Sequence, residues 1–460
     1  MSSNNLSSLH RRLIVAIALS GSFLSVLTQF LLITAFPRIM VEFDVNASEV
    51  QWLTTSFMLT IAVLIPITAF LIDTFKTRTL MMSAMFLFFI GTLLGLFAPT
   101  FEILLAGRIF QGAGSGIMMP LMQTILLLIY PREKRGFAMG MAGLVINVAP
   151  AIGPPISGVI INSFEWRAVF LLTLLIAALI MLFIFLFMRN VTEQRESNID
   201  VLSILLSSIG FGGILYGFNT MEAAGAETGI AIFIMSAGIV SLCLFVVRQF
   251  RLQTPILELH VLKVPIFALV TIISILSFSL LISTETILPM YVQNVQGLSA
   301  LHAGIIVFPG AMTLAVMSLL AGKLFDKYGG KRMAKIGFLL LAVTTLCYYL
   351  MLDVDTPLVF VAIVFMFVMG GVALINMPIM TAGINALPDS LVAHGTAIVN
   401  TARQFGGSLG LTFIISFITL ETAENGAVDA LSFLDGVLHA FFVAFLFAVA
   451  GFLFSLMIKK

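Results

Sequence analysis

The sequence predicts an all-α integral membrane protein whose fourteen spanning helices are organised as six, two and six. Three observations lead there. Hydrophobic residues make up 60% of the chain and charged residues 10%, with a mean hydropathy of +1.13, whereas soluble domains carry about a quarter charged residues. Apolar runs of roughly 18 residues or more, the length that crosses a hydrocarbon core of about 30 Å as helix, succeed one another along nearly the whole chain. One short polar pattern also occurs twice, about 250 residues apart, as AFLIDTFKTR at Ala69 to Arg78 and GKLFDKYGGK at Gly322 to Lys331. Each copy has a small residue, a Leu two later, an Asp four later and a cation nine later, and lies between apolar runs, so two related halves are implied.

In chain order the expected spans are 13–33, 50–71, 79–97, 103–127, 136–160, 168–188, 201–219, 229–248, 266–290, 301–321, 333–352, 357–380, 395–418 and 436–457. A transmembrane barrel would instead show short alternating segments. The longest polar run between spans, 189–200, and a second at 249–264 bracket one helix pair. The chain therefore divides into a terminal segment 1–12, a six-helix bundle 13–188, an inserted pair with its connectors over 189–264, a second six-helix bundle 265–457, and a last segment 458–460. The first apolar run is full length and lacks a cleavage site, so it reads as a true first helix rather than a leader.

Orientation follows from the cations. Of 23 Lys and Arg residues, one side receives nineteen, from Arg11 and Arg12 through Arg195, Lys331 and Arg332 to Lys459 and Lys460. The other side has only Arg38 and Arg167. Arg108 and Arg403 fall within spans. By the positive-inside rule both termini are cytoplasmic. Cys243 and Cys347, both mid-span, read as packing residues rather than a disulfide or metal framework. No metal site is expected.

The paired loops match the cytoplasmic signature Gly-x-Leu-x-Asp-x-x-Gly-Arg-Arg/Lys, better in the second copy, with Gly322, Asp326, Lys331 and Arg332. In the first, Ala69 replaces the leading Gly, and Lys76 and Thr77 the Gly-Arg step, while Asp73 and Arg78 remain. LLAGRIFQGAGSG over 104–116 matches Leu-x-x-x-Arg-x-x-Gln-Gly-x-Gly, with Arg108 and Gln111. The next helix reads GLVINVAPAIGPPISG, with Gly143, Asn147, Pro150, Gly153, Pro154 and Gly158. Together these resemble the major facilitator superfamily and, within it, the fourteen-helix drug:proton antiporters. The resemblance covers nearly the whole chain.

That resemblance implies the major facilitator fold and a charge relay of Asp73 and Arg78 at a cytoplasmic gate. It also implies a proton-coupling role for Arg108 and antiport from the Gly/Pro-rich helix. Independently, an Arg near the bilayer centre costs roughly 2.5–3.5 kcal/mol on insertion scales, so Arg108 should face a cavity and find an acceptor. A run of Pro and Gly removes helix donors and permits close approach, giving a bendable, tightly packed segment. The family's helix 1 reads Leu-Asp-x-Thr-Ile-Val-Asn-Val-Ala-Leu-Pro. Here LTQFLLITAFP puts Thr28 where its Asp belongs and Ile33 where its Asn belongs.

A helix 1 carboxylate therefore cannot carry the proton. Glu285, just before Pro289, is the one carboxylate placed deep in a span, and ionising it at membrane depth is costly. It is expected to be the proton carrier and the counter-charge to a cationic substrate, with Arg108 the other coupling residue. Candidates for lining a substrate cavity are Gln51, Trp52, Gln111, Tyr291, Asn376, Asn400 and Arg403, with the 42 Phe and 25 Met residues able to supply a soft apolar wall. The expected activity is proton-coupled efflux of amphipathic or cationic drugs. The alternatives are export of one antibiotic, siderophore or metabolite, or exchange against monovalent cations. No enzyme constellation or P-loop is found, so no catalytic residue and no cofactor is expected, only the proton gradient. The expected partners are small drugs, protons and the lipid bilayer rather than nucleic acid, for a monomer in a bacterial plasma membrane.

Overall fold

The computed structural model describes residues 8–192, 194, 200–222, 228–424 and 430–458. Arg195, Lys459, Lys460 and half of the 189–200 connector lie outside these, as do parts of both terminal segments. Among the described residues the helices are α1 Ser8–Leu31, α2 Phe36–Phe43, α3 Ala47–Thr74, α4 Thr77–Leu96, α5 Phe101–Ile129, α6 Arg135–Ser163, α7 Ala168–Phe187 and α8 Val201–Glu222. They continue with α9 Thr228–Arg251, α10 Pro265–Asn294, α11 Ala300–Tyr328, α12 Gly330–Met351, α13 Leu358–Asn385, α14 Val392–Glu424 and α15 Ala430–Met457.

All but the eight-residue α2 have twenty residues or more, which matches the fourteen expected spans in number. Twelve are long and apolar enough to cross a membrane. Over the described residues alone, α14 falls outside that set and α8 counts as the shorter apolar helix Val201–Gly217.

Two boundaries differ from expectation. The first span ends at Leu31, and Pro37 at the first turn of α2 begins a separate short helix, as Pro does where its missing N–H is not needed. The second polar motif is not a loop. Gly322 to Tyr328 are the last turns of α11, Gly329 turns the chain at φ 78°, and Lys331 and Arg332 lie in the first turn of α12. Polar residues do not break a helix, so the charge pattern located the membrane boundary and not the helix end.

The chain forms two compact units: 1–129 with 152–261 and 388–398, and 130–151 with 262–387 and 399–460. In the first unit α5 packs against α1, α3 and α4, and α8 pairs with α9 and contacts α3. The α4–α5 approach requires glycine, because a Cβ on Gly107 would lie 2.8 Å from the Gly91 carbonyl. Pro120 of α5 cannot donate to the Gly116 carbonyl, and Thr68 of α3 supplies the missing bond at 3.2 Å, the compensation a low-dielectric span demands. The second unit is built on α13 against α10, α11 and α12, with Phe338, Phe365, Tyr348 and Phe441 fully buried. Leu171, Leu175, Leu179 and Leu182 form an exposed apolar stripe on α7. Cys243 is also exposed, so it is not the packing residue expected.

The two cations on the expected outer side are both structural. Arg167 pairs with Glu42 at 2.6 Å and donates to the Ala98 carbonyl at 3.0 Å. Arg38 donates to the Phe164 carbonyl at 3.1 Å. With the Trp166 indole donating to Glu42 at 2.6 Å, they pin α2 beside the start of α7.

In the α8–α9 pair, Arg248 of α9 forks onto Asp200 before α8, at 2.8 and 3.0 Å. Hydrogen bonding by Arg248, against the opposing effect of partial burial, holds the Asp200 carboxyl down at about 2. A carboxyl depressed in the folded state stabilises above its ordinary titration range, and that stability is lost as pH falls through the folded value. The clasp should therefore weaken between about pH 4 and 2. Thermal unfolding of an Asp200→Asn variant should lack this acid-sensitive component of the wild type.

Candidate functional site

Arg108 of α5 is fully buried in the first unit. Its Nε donates to the Leu53 carbonyl at 3.0 Å, and its Nη1 donates to Gln111 Oε1 at 2.9 Å and more weakly to the Thr28 carbonyl at 3.5 Å. The guanidinium also lies over the Phe57 ring, 4.4 Å from its centroid. Nη2 makes no hydrogen bond with a described residue. Gln111 in turn donates to Thr92 at 2.9 Å. Thr28, standing where the resembling family has its acid, thus offers Arg108 only a neutral backbone oxygen, while its hydroxyl is spent on Leu24.

In the second unit α10 carries Glu285 two-thirds of the way along, half-buried, about 14 Å from the helix end at Asn294 by helical rise. Pro289 lies four residues on and cannot donate to the Glu285 carbonyl, which loosens the helix at the acid. About two turns earlier on α10, Phe278 lies under the Arg403 guanidinium of α14, 4.7 Å from ring centroid to Cζ. Arg403 is 7% exposed, and its Nε and Nη1 make no hydrogen bond with a described residue. Ser277 donates to Asn376 Oδ1 at 3.0 Å.

The two motif aspartates sit alike. Asp326 accepts from the Gly136 and Phe137 amides at 2.8 Å each, at the start of α6, where free N–H groups and the helix dipole favour an anion. Asp73 meets His394 Nε2 at 3.1 Å in the first turn of α14. The Glu258 amide donates to His394 Nδ1 at 3.1 Å, which makes Nε2 the protonated nitrogen and so the donor to Asp73. Each motif carboxylate is thus held at the beginning of a helix from the other half of the sequence.

The expected Asp73–Arg78 relay is not formed. Arg78 donates instead to the Phe185 carbonyl at 2.5 Å. Thr77, which breaks the first motif copy, accepts from the Val191 and Thr192 amides at 3.0 and 3.1 Å. That departure ties down the start of the connector between α7 and α8.

The Gly/Pro-rich segment lies in one unbroken helix, α6, whose 143–151 belongs to the second unit and 153–158 to the first. A Cβ on Gly143 would lie 2.9 Å from Met377, and one on Gly153 2.9 Å from Phe30, whereas Gly158 faces open space. Asn147 donates to Ser318 at 3.0 Å. Pro150 and Pro154 are half-buried within the same helix.

Gly322 abuts the Gly136 carbonyl, with Gly140 Cα 2.9 Å from where its Cβ would be. Gly322→Ala should therefore force the α6–α11 seam apart and cost about 1–3 kcal/mol, as overpacking does. A drop in the unfolding temperature of the purified protein would show it.

Not every cavity candidate is placed to line one. Tyr291 is fully buried, and its hydroxyl donates to the Asp353 carbonyl at 2.6 Å, bracing the α12–α13 connection. Trp52 stacks on Tyr216 of α8 at 5.4 Å, and Gln51 is exposed at the start of α3. Gln111, Asn376, Asn400 and Arg403 are buried. Sequence reasoning missed His394 and Ser318, whose partners are far away in the chain. The roughly 250-residue offset that maps Asp73 onto Asp326 also maps the start of α6 near that of α14, and it was the available signal for His394.

Comparison with known proteins agrees with this architecture. The family model of the Major Facilitator Superfamily matches residues 18–411. The chain is 46% identical over 452 residues to the uncharacterized MFS-type transporter YcnB of Bacillus subtilis (strain 168), covering 98% of this chain and 96% of the other. It is 36% identical over 455 residues to the lincomycin resistance protein LmrB of Listeria monocytogenes serovar 1/2a, covering 97% and 96%. The crystal structure of the human organic anion transporter MFSD10 superposes with a TM-score of 0.67 at 14% identity, covering 97% and 99%, a likeness of fold. The chain belongs to the major facilitator superfamily and is a multi-pass membrane transporter.

Proposed function

We propose that the protein is a proton-coupled exporter of amphipathic or cationic drugs, of the fourteen-helix antiporter type, in a bacterial plasma membrane with both termini in the cytoplasm. The observation that carries the coupling is Glu285: a carboxyl within a spanning helix, next to a proline-loosened turn, without a hydrogen bond or ion pair to a described residue. Such a group binds either a proton or a substrate cation, and the competition couples the two fluxes. Lying toward the far end of α10 from Pro265, it is nearer the side on which protons enter and drug leaves. Arg108 holds a permanent charge in the other half.

The clasped aspartates fit alternating access. Asp73 at α14 and Asp326 at α6 lock one conformation, and their release accompanies the other. The resemblance to a lincomycin resistance protein supports drug export and favours, as a second reading, a narrow antibiotic range.

Everted membrane vesicles test the activity. With an acid interior, adding lincomycin or a cationic dye should discharge part of the pH gradient, and collapsing that gradient should stop dye uptake. Uptake that persists without the gradient, or follows Na⁺ or K⁺ instead, would refute proton coupling.

A further inference from the structure

At the end of the second unit where α12 begins, a cavity of about 750 Å³ is lined by Tyr328, Gly330, Lys331, Arg332, Lys335 and Asn385, with Ile266, Ala382, Ala386 and Ile458 on its apolar side. That volume lies in the ~300–1,000 Å³ range of small-ligand sites. Three of its lining residues are cations and none is acidic. A fourth cation stands behind the wall, because Arg135 donates to Asn385 Oδ1 at 3.1 Å. The motif acid Asp326 is held by the α6 amides and is not among the residues lining the cavity. The coupling residues and the clasped aspartates make no use of this space.

We propose that this cavity binds the phosphate of an anionic phospholipid headgroup. The charge demands an anion, and a phosphate has enough acceptor oxygens for the Arg332 fork and the two ammonium groups together. The apolar side distinguishes a lipid from a soluble phosphate. Ile266 begins α10, Ala382 and Ala386 end α13, and Ile458 follows α15, so these residues lie at the ends of membrane-spanning helices, where a headgroup passes into acyl chain. Basic pockets between helices at a membrane surface recognise such headgroups. Occupancy would tie α10, α12, α13 and α15 together at this end.

The test is thermal unfolding of the purified full chain in detergent, titrated with short-chain phosphatidylglycerol, phosphatidylcholine or inorganic phosphate. Phosphatidylglycerol should raise the unfolding temperature saturably, and the other two should not at equal concentration. Arg332→Gln/Lys335→Gln should weaken the effect by about fivefold per cation removed, whereas Arg11→Gln/Arg12→Gln, which do not line the cavity, should leave it unchanged. Lys335→Gln alone carries the same test if the double variant does not fold. An equal response in wild type and cavity variant, or an equal loss in the Arg11/Arg12 control, would overturn the site. A shift reproduced by inorganic phosphate would overturn the lipid as its occupant. Binding is read here, not transport, so the outcome is separable from that of the export reading.

Discussion

Glu285→Gln is expected to abolish pH-driven export while leaving the protein folded and able to bind substrate. Gln has nearly the same volume and polarity as protonated Glu, and the native carboxyl makes no hydrogen bond or ion pair with a described residue, so packing around α10 should be preserved. What the variant lacks is the choice between two charge states. Drug uptake into everted vesicles should fall to the level of vesicles without the protein, and adding drug should no longer discharge the pH gradient. Equilibrium binding of a neutral substrate should persist and lose its dependence on pH. A cationic substrate should bind more weakly, because its counter-charge is gone. A Gln variant that still couples drug movement to the gradient would move the proton carrier elsewhere and leave Glu285 a structural carboxyl.

The membrane fold was legible because composition and run length are properties of local sequence. Hydrocarbon admits few structures, and a chain of apolar runs separated by cations has little alternative to a helical bundle. Helix ends were less legible. The residues from Gly322 to Tyr328 are polar enough to leave the membrane yet remain helical until Gly329, where a positive φ stops the helix.

Candidate residues divided along the same line. Arg108 and Glu285 stand out as candidates, since charge at membrane depth is costly wherever its partners lie. Tyr291 and Trp52 could not be placed, because an amphipathic ring serves a cavity, a helix contact or a loop brace equally well, and only packing against Asp353 and Tyr216 decides. The Asp73–His394 contact spans 321 residues of sequence. No spacing rule reaches that far, and only the internal repeat pointed toward it.

Arg108→Ala is expected to stop transport even in the protein that remains folded, and to cost some stability, as the magnitudes show. Keeping the cation within the bilayer costs roughly 2.5–3.5 kcal/mol on insertion scales, and Ala removes that cost. Against it stand the two short hydrogen bonds to the Leu53 carbonyl and Gln111, about 1.5–3 kcal/mol each for a charged donor, and the contact with Phe57, about 0.5–2 kcal/mol. The lost contacts sum to about 3.5–8 kcal/mol, more than the cost relieved, so the variant should be less stable by roughly 0–5 kcal/mol and its unfolding temperature should fall. Transport should respond differently. Arg108 joins α5 to α3 through Leu53 and to α1 through Thr28, and it is a fully buried cation of that half. Without it, proton loading elsewhere has no opposing charge to act against, and vesicle uptake should fall to background. Arg108→Lys should recover little, because one ammonium cannot reproduce the planar fork that reaches Leu53 and Gln111 while covering the Phe57 ring. A large loss of stability in Arg108→Ala with normal transport by the protein that remains folded would assign Arg108 to packing alone. Thr28→Asp supplies the complementary check: if its carboxylate reaches the guanidinium whose Nη1 already meets the Thr28 carbonyl, the unfolding temperature should rise and turnover should slow.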